Sequence, residues 1–466
     1  MAKQDERKLH VLREDSAGID VGSREHWVAV PADRDADCVQ KFGTTTSELN
    51  RLAAWLGACG VTTVAMESTG VYWVPLYEVL EARGIDVMLV NATHVRNVPG
   101  RKSDVKDCQW IQRLHSYGLL RASFRPSADI VELRTYARHR QTLVEGAARE
   151  VQHMQKALML MNVQIHHAVN DITGVTGMRI LRDIAGGQAS PAELAKHRDP
   201  RCHVTPEELE KALTGTYKVD QLFVLQQALR LYDMYQAQII ECTGRIEAKL
   251  AALTSSSLPE AEHAALPRPE SASPKTARKS APRPRRAQKH KPLDHVLPTI
   301  IQVAGVDLTK IPGIAPLTAL NLIAEIGLDM TPWRTEKHFS SWLNLAPGTT
   351  KTGGHLKTGR RPMAKNRAGE LLRQSAVSVG RTRTALGAFF RRIAATGSKA
   401  KAVVATARKL GILVYRLISR GASYVEVGLE RYERHYTERR LGALKKQAKS
   451  LGYALSPITE TAPAIT

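Results

Sequence analysis

The chain has 466 residues, of which 43% are hydrophobic, so it is long enough for two or three globular domains with cores of their own. Its formal net charge of +22 favours a polyanionic partner such as nucleic acid, although charge alone does not specify chemistry. The five cysteines are scattered without a CxxC grouping, which argues against a zinc site and a disulfide framework, and no apolar run reaches the roughly 18 residues of a membrane span.

Residues 15–128 alternate between strand-like and helix-like stretches, which predicts an α/β domain with helices on the faces of a sheet. In GIDVGS an apolar run ends in Asp20 and then a glycine, as at the end of a buried strand. The stretch VTTVAMESTG repeats that arrangement around Glu67, and VMLVNA at 87–92 is the next predicted strand. Two of these predicted strands therefore end in a carboxylate, Asp20 in one and Glu67 in the other.

A predicted helix supplies two further acids. In RKSDVKDCQWIQRL, Ser103 is a candidate N-cap, and Asp104 and Asp107 are three residues apart on one helix face. Taken singly, each acid is compatible with an ordinary cap or surface carboxylate. Together, four close carboxylates would resist joint ionisation unless cations compensate them, and Mg²⁺ prefers such oxygen ligands. Basic residues of the same segment are candidates for contact with the phosphate backbone: Arg96, Arg101, Lys102 and Lys106.

The order of these acids resembles a known arrangement. A strand with an Asp, a second strand with a Glu and then a helix with two Asp residues resemble the RuvC-like branch of the ribonuclease H fold. More closely, the chain resembles the DEDD transposases of bacterial insertion sequences, the family that includes Piv-type invertases and bridge-RNA-guided recombinases. The resemblance implies a RuvC-like catalytic domain in which Asp20, Glu67, Asp104 and Asp107 bind Mg²⁺ as the cofactor for cutting DNA.

Residues 129–253 predict a long helical or coiled-coil spacer, because Leu, Met, Val and Ile recur there at spacings of three and four. Residues 254–294 are rich in Pro, Ser and Ala and become strongly basic, so they predict a flexible linker. Some basic residues of the spacer either contact nucleic acid or form a solvated helix face. These are Arg138, Arg140, Arg149 and Lys156.

Residues 295–425 predict an all-α transposase domain, and residues 426–466 predict a helical tail. The stretch VDLTKIPGIAPLTALNLIAEIG predicts a helix-hairpin-helix with Pro312 and Gly313 in the hairpin and a helix from Pro316. Backbone N–H groups of such a hairpin can bind a phosphate. A helical turn packed on a core would have the same pattern.

A second signature follows this hairpin. The family carries its catalytic serine immediately before a Gly-Gly pair, whereas here Thr352 precedes Gly353 and Gly354. Threonine keeps a hydroxyl that can attack phosphorus, but its methyl group crowds the oxygen and restricts its rotamers. Lys357 and Arg360 belong to the same loop, and we expect them, with the two glycines, to contact nucleic acid.

The resemblance implies a composite active site, in which the acids of one subunit and the hydroxyl of another meet on double-stranded DNA at element ends and target. It therefore implies a homo-oligomer, a dimer or tetramer, and a structured guide RNA. We expect such a protein in the bacterial cytoplasm, associated with the nucleoid. Two alternatives stay open: a RuvC-like metal-dependent junction nuclease that uses water, and a non-catalytic DNA-binding relative.

Overall fold

The computed structural model describes residues 10–91, 104–187, 190–200, 202, 204–256, 293–353, 355–358, 366–421 and 429–456. Within these ranges, the side chains of residues 104–106, 255–256, 349–352, 355–358, 429–433 and 435 are not described. The chain divides into two compact units, Met1–Arg125 and Pro126–Thr466. Most of the predicted linker, residues 257–292, lies outside the described residues.

The first unit contains a mixed five-stranded sheet in the order β3-β2-β1-β4-β5. Its strands are β1 Ser16–Val21, β2 Glu25–Ala29, β3 Val39–Gly43, β4 Thr63–Glu67 and β5 Asp86–Val90. β1, β4 and β5 run parallel to one another, and β2 is antiparallel to both of its neighbours. The predicted α/β architecture is confirmed, and this sheet is compatible with a RuvC-like fold.

Among the described residues of the first unit, three helices cover the two faces of this sheet: α1 Thr46–Ala58, α2 Trp73–Ala82 and α3 Asp104–Ser116. α1 and α2 pack on the face that carries Ile19 of β1 and Met66 of β4, where they form the larger apolar core. α3 packs on the opposite face, where Ile111 lies against Ala65 and Val90. Because side chains alternate along a strand, Gly18, Asp20, Ala65 and Glu67 share the α3 face.

The second unit begins with two long helices, α4 at Ala128–Leu160 and α9 at Val219–Ser256. They pair antiparallel, since Lys249 near the end of α9 contacts Asp129 at the start of α4, while Gly146 in the middle of α4 packs against Tyr235. Four shorter helices connect them: α5 Ile165–Ala168, α6 Val175–Ala185, α7 Pro191–Ala195 and α8 Pro206–Leu213. These bury Met154 and Leu158 at the end of α4.

The rest of the second unit is largely helical. Its helices are α10 Leu297–Ala304, α11 Pro316–Ile326, α12 Glu336–Trp342, α13 Arg367–Val379, α14 Ala385–Thr396, α15 Lys399–Arg420 and α16 Leu429–Ser450. An aromatic cluster joins α12 to α15, and the Tyr415 hydroxyl donates a hydrogen bond of 2.9 Å to the carbonyl oxygen of Trp333. Arg134 of α4 donates to the last carbonyl oxygens of α11, at Ala324 (3.0 Å) and Glu325 (2.7 Å).

The prediction that this C-terminal region is all-α is wrong at one point. Residues Thr349–Thr352 and His355–Thr358 form an antiparallel hairpin, β6 and β7. Several β-branched threonines favour extended backbone here, and Gly353 adopts a left-handed φ of 57° in the turn. The backbone N–H and C=O groups of this segment therefore pair between the two strands. Across the described residues, we find no helix that is both long and apolar enough to cross a membrane.

Candidate functional site

Asp20 and Glu67 lie side by side at the carboxyl ends of two neighbouring parallel strands. The register pairs Ile19 of β1 with Met66 of β4, so the next residue on each strand is one of the two acids. Adjacent strands are about 4.8 Å apart, and residues at the same level of parallel strands point to the same face. The two predicted strand-end carboxylates are thus brought together on the α3 face.

α3 runs antiparallel to β1 and β4. Near its end, His115 Nε2 is 3.0 Å from the hydroxyl of Thr63, the first residue of β4. In its middle, the Gln112 side chain donates to the carbonyl oxygen of Ser16, the first residue of β1. Its beginning, which carries Asp107, therefore lies towards the carboxyl ends of the strands. This direction brings Asp107 to the same edge of the sheet as Asp20 and Glu67.

The thiol of Cys108 lies within electrostatic reach of two of these acids. Burial is the main cause that raises the pKa of Cys108 to about 12, and the charges of Asp20 and Asp107 act in the same direction. Glu67 is only 7% exposed and accepts a 2.9 Å hydrogen bond from the hydroxyl of Thr69. The site is therefore a sheltered, acidic corner of the first unit.

The donor chemistry of this corner suits a hard divalent cation, since its groups are carboxylate oxygens. Among the side chains that the structure describes, however, no three His, Cys, Asp or Glu groups already form a cluster that could hold a metal ion. The side chain of Asp104, the fourth acid, is outside that set. Binding of Mg²⁺ by Asp20, Glu67, Asp104 and Asp107 accordingly stays a prediction.

Two positioning residues were not predicted. A Cβ at Gly18 would lie 2.2 Å from the backbone nitrogen of Gln112 and 2.4 Å from the carbonyl oxygen of Cys108, so only glycine lets α3 approach β1 this closely. Thr69 orients the Glu67 carboxylate. The small residues beside the two acids, in GIDVGS and ESTG, were the available signal.

Four basic residues were predicted to contact the phosphate backbone beside the acids. Arg96, Arg101 and Lys102 lie outside the described residues, and Lys106 belongs to α3 without a described side chain. Their contact with a phosphate backbone stays a prediction.

Around Pro312 and Gly313 the chain makes a turn that leads into α11, which begins at Pro316 as predicted. Gly313 has a φ of 87°, and a Cβ there would lie 2.4 Å from the Val379 side chain and 2.9 Å from the carbonyl oxygen of Ser375. Close packing on α13 therefore explains this glycine by itself. A role of the turn in binding phosphate stays a prediction.

Thr352 is the last residue of β6 and pairs with His355 across the turn. Gly353 is exposed in that turn, and Lys357 lies on β7 opposite Thr350. Gly354 and Arg360 lie outside the described residues. Thr352 thus lies at the tip of a hairpin, next to the exposed Gly353, and its role as nucleophile stays a prediction.

Two of the spacer arginines have partners within the second unit. Arg138 makes a bidentate pair with Glu325, at 2.8 and 2.7 Å. Arg140 is buried and donates to the hydroxyl of Thr243 on α9. Both side chains hold helices together, so they are poor candidates for nucleic-acid contact, whereas Arg149 and Lys156 are exposed.

Two family models match the chain. Residues 17–163 match a model of the DEDD transposases of IS110 type, described as transposase, and residues 307–391 match the transposase model of the IS116/IS110/IS902 family. No curated protein matches the chain. The first match spans the sheet with its acids, and the second spans the hairpin that carries Thr352. The chain therefore belongs to the DEDD transposases of insertion sequences.

Proposed function

We propose that this transposase cuts and rejoins DNA by using the hydroxyl of Thr352 as nucleophile and Asp20, Glu67, Asp104 and Asp107 as the ligands of Mg²⁺. The antiparallel docking of α3 on β1 and β4 carries this proposal, because Asp107 then lies at the sheet edge that also holds Asp20 and Glu67, although the three acids are distant in sequence.

Each group would have a distinct task. Bound Mg²⁺ would stabilise negative charge on the scissile phosphate and on the leaving oxygen. Thr352 Oγ1 would form a bond to phosphorus while the bond from phosphorus to one deoxyribose oxygen breaks, and that oxygen would take up the hydroxyl proton. Thr69 would hold the Glu67 carboxylate in place through its 2.9 Å hydrogen bond. The product would be a protein–DNA phosphoester, which the hydroxyl of a second DNA end resolves by rejoining.

Further parts of the proposal rest on the family. They are a homo-oligomer that combines the acids and the hydroxyl of different subunits, a structured guide RNA, and activity at the bacterial nucleoid. The net charge of +22 supports a nucleic-acid partner of either kind. The turn at Gly353 is exposed. Together with Gly354, Lys357 and Arg360, it would contact the DNA backbone beside the scissile phosphate.

A metal-dependent junction nuclease is the second candidate. One observation favours it: position 352 carries a secondary alcohol on a β-strand, where the family has the less crowded serine. In that case water would be the nucleophile, and free ends would be released without a covalent intermediate.

A covalent-complex assay separates the candidates. The full-length protein, with its co-expressed RNA retained, is incubated with Mg²⁺ and labelled element-junction and target DNA, and then run on a denaturing gel. We expect a protein–DNA band that is lost in Thr352→Val and in Asp20→Asn, and that persists in Thr352→Ser. Free cut ends in Thr352→Val, without that band in the wild type, would establish the nuclease instead.

A further inference from the structure

A tryptophan and a lysine continue the row of acids across the sheet. The register pairs Asp20 of β1 with Trp27 of β2, and Trp27 in turn with Lys41 of β3. Residues directly opposite each other in an antiparallel pair point to the same face. Glu67, Asp20, Trp27 and Lys41 therefore form one line across four adjacent strands, on the face that carries α3.

The indole of Trp27 is held in a fixed position. Its Nε1 donates a 3.2 Å hydrogen bond to Glu25 Oε1, and Lys41 Nζ lies 3.2 Å from Glu25 Oε2. The same Nζ is 5.7 Å from the centroid of the indole ring. Trp27 is only partly buried, and the side chains of Lys41 and Glu25 are 53% and 43% exposed. The ring is thus anchored at the surface and still accessible.

The apolar core does not account for this tryptophan. On β2, the neighbours His26 and Val28 point to the opposite face, and Val28 belongs to the core formed with α1 and α2. On the α3 face, the apolar cluster around Ile111 includes residues of β4 and β5. A large aromatic ring that lies at the level of the acids and outside both clusters is available for stacking, and bases of a nucleic-acid strand stack on such rings.

The spacing fits a nucleic-acid strand. The Cα atom of Trp27 is about 5 Å from that of Asp20, and that of Lys41 is roughly 10 Å away, since opposite residues are about 4.5 to 5.5 Å apart. A phosphate held at Asp20 would therefore place its own nucleotide beside the indole. Glu25 and Lys41 neutralise each other, so attraction at this point depends on ring contact rather than on net charge.

We propose that Trp27 is a DNA-positioning residue: a base or deoxyribose of the strand being cut stacks on its indole, next to the scissile phosphate. Glu25 and Lys41 fix the orientation of the ring. This inference rests on the proposed function, because it takes the reacting phosphate to lie at Asp20. The ligand we propose is the DNA strand that bears the scissile phosphate, because Trp27 lies directly opposite Asp20 in the sheet.

The test compares Trp27→Leu with Trp27→Phe, which keeps an aromatic ring. Trp55→Leu is the matched control, because Trp55 also donates to a carboxylate, Asp35, at 2.8 Å, but packs against the core on the opposite face. Binding of fluorescein-labelled element-junction DNA is measured in Ca²⁺, without cleavage. We expect Trp27→Leu to weaken binding about tenfold, as for one lost stacking contact, and Trp27→Phe to restore most of it. Trp55→Leu should bind normally.

Photo-crosslinking gives an independent result on the wild-type protein, so the proposal is testable even if Trp27→Leu fails to fold. DNA carrying 5-iodouracil next to the cleavage position should crosslink to the peptide that contains Trp27. Three results would overturn the inference. They are normal DNA binding and cleavage by Trp27→Leu, the absence of a crosslink at Trp27, and a Trp27 crosslink only to RNA that carries the same substitution. A Trp27 crosslink without a Thr352 adduct would instead refute the proposed nucleophile and leave Trp27 as a DNA contact.

Discussion

Replacing Gly18 with alanine tests whether the position of α3 controls activity. The new Cβ would lie 2.2 Å from the backbone nitrogen of Gln112, whereas ordinary van der Waals contact begins at 3.4 Å. The atoms in the way are backbone atoms of α3, so no side-chain rotation relieves the clash. α3 must therefore move by about 1 Å, and it carries Asp107 with it.

Two effects of different size should follow. Overpacking of this kind costs about 1 to 3 kcal/mol of unfolding free energy. A catalytic group displaced by about 1 Å can lose about 100-fold in rate. We therefore expect Gly18→Ala to stay folded at 25 °C but to form the covalent DNA complex about 100-fold more slowly.

The assay pairs a guanidinium unfolding curve with the rate of covalent-complex formation at saturating DNA. Gly57→Ala is the matched control, because a Cβ at Gly57 in α1 meets no atom within 4 Å. That variant should be as active as the wild type and more stable by up to about 1 kcal/mol. If Gly18→Ala has the rate and the stability of the wild type, α3 does not lie as close to β1 as only a glycine allows, and the argument is refuted.

Three further predictions concern stability and the hairpin. Burial and Arg13 lower the pKa of His115 from 6.5 to about 4. The folded protein therefore keeps its full free energy of unfolding above pH 6.5 and loses about 3 kcal/mol of it as the pH falls towards 4. Urea unfolding across this range should show that loss in the wild type and a flatter profile in His115→Gln. Arg134→Met leaves two carbonyl oxygens at the end of α11 without their donor and should cost about 2 kcal/mol by thermal unfolding, whereas exposed Arg149→Met should change little. Gly353→Ala forces a residue with a side chain into a φ of 57° and should destabilise the hairpin by about 1 kcal/mol. We expect the covalent complex to form more slowly as a result. Gly353→Asn should have a smaller effect, because asparagine tolerates a left-handed φ better than alanine.

Local pattern was sufficient for several elements. β1, β4 and β5 were predicted because their apolar runs stop at Asp20, at Glu67 and near Asn91. α11 was predicted to begin at Pro316, since proline fits the first turn of a helix. These features depend on a few neighbouring residues, which is why one sequence reveals them.

Other features depend on pairing between distant segments. The line of Asp20, Trp27 and Lys41 exists only in the register of β1, β2 and β3, and periodicity does not encode register between strands. Arg138 was interpreted as either a nucleic-acid contact or, more often for such a charge, part of a solvated helix face, because its partner Glu325 is far away in sequence. The hairpin around Gly353 was missed because its strands are short and lie between long helical patterns.

The most direct test of the account is to identify the residue that becomes linked to DNA. The covalent complex is digested with nuclease and protease, and the peptide that retains a nucleotide is sequenced by mass spectrometry. We predict the nucleotide on Thr352, with no such peptide from Asp20→Asn or Asp107→Asn protein. A nucleotide on another residue, or cut DNA with only free 5′-phosphate and 3′-hydroxyl ends, would contradict the proposed mechanism.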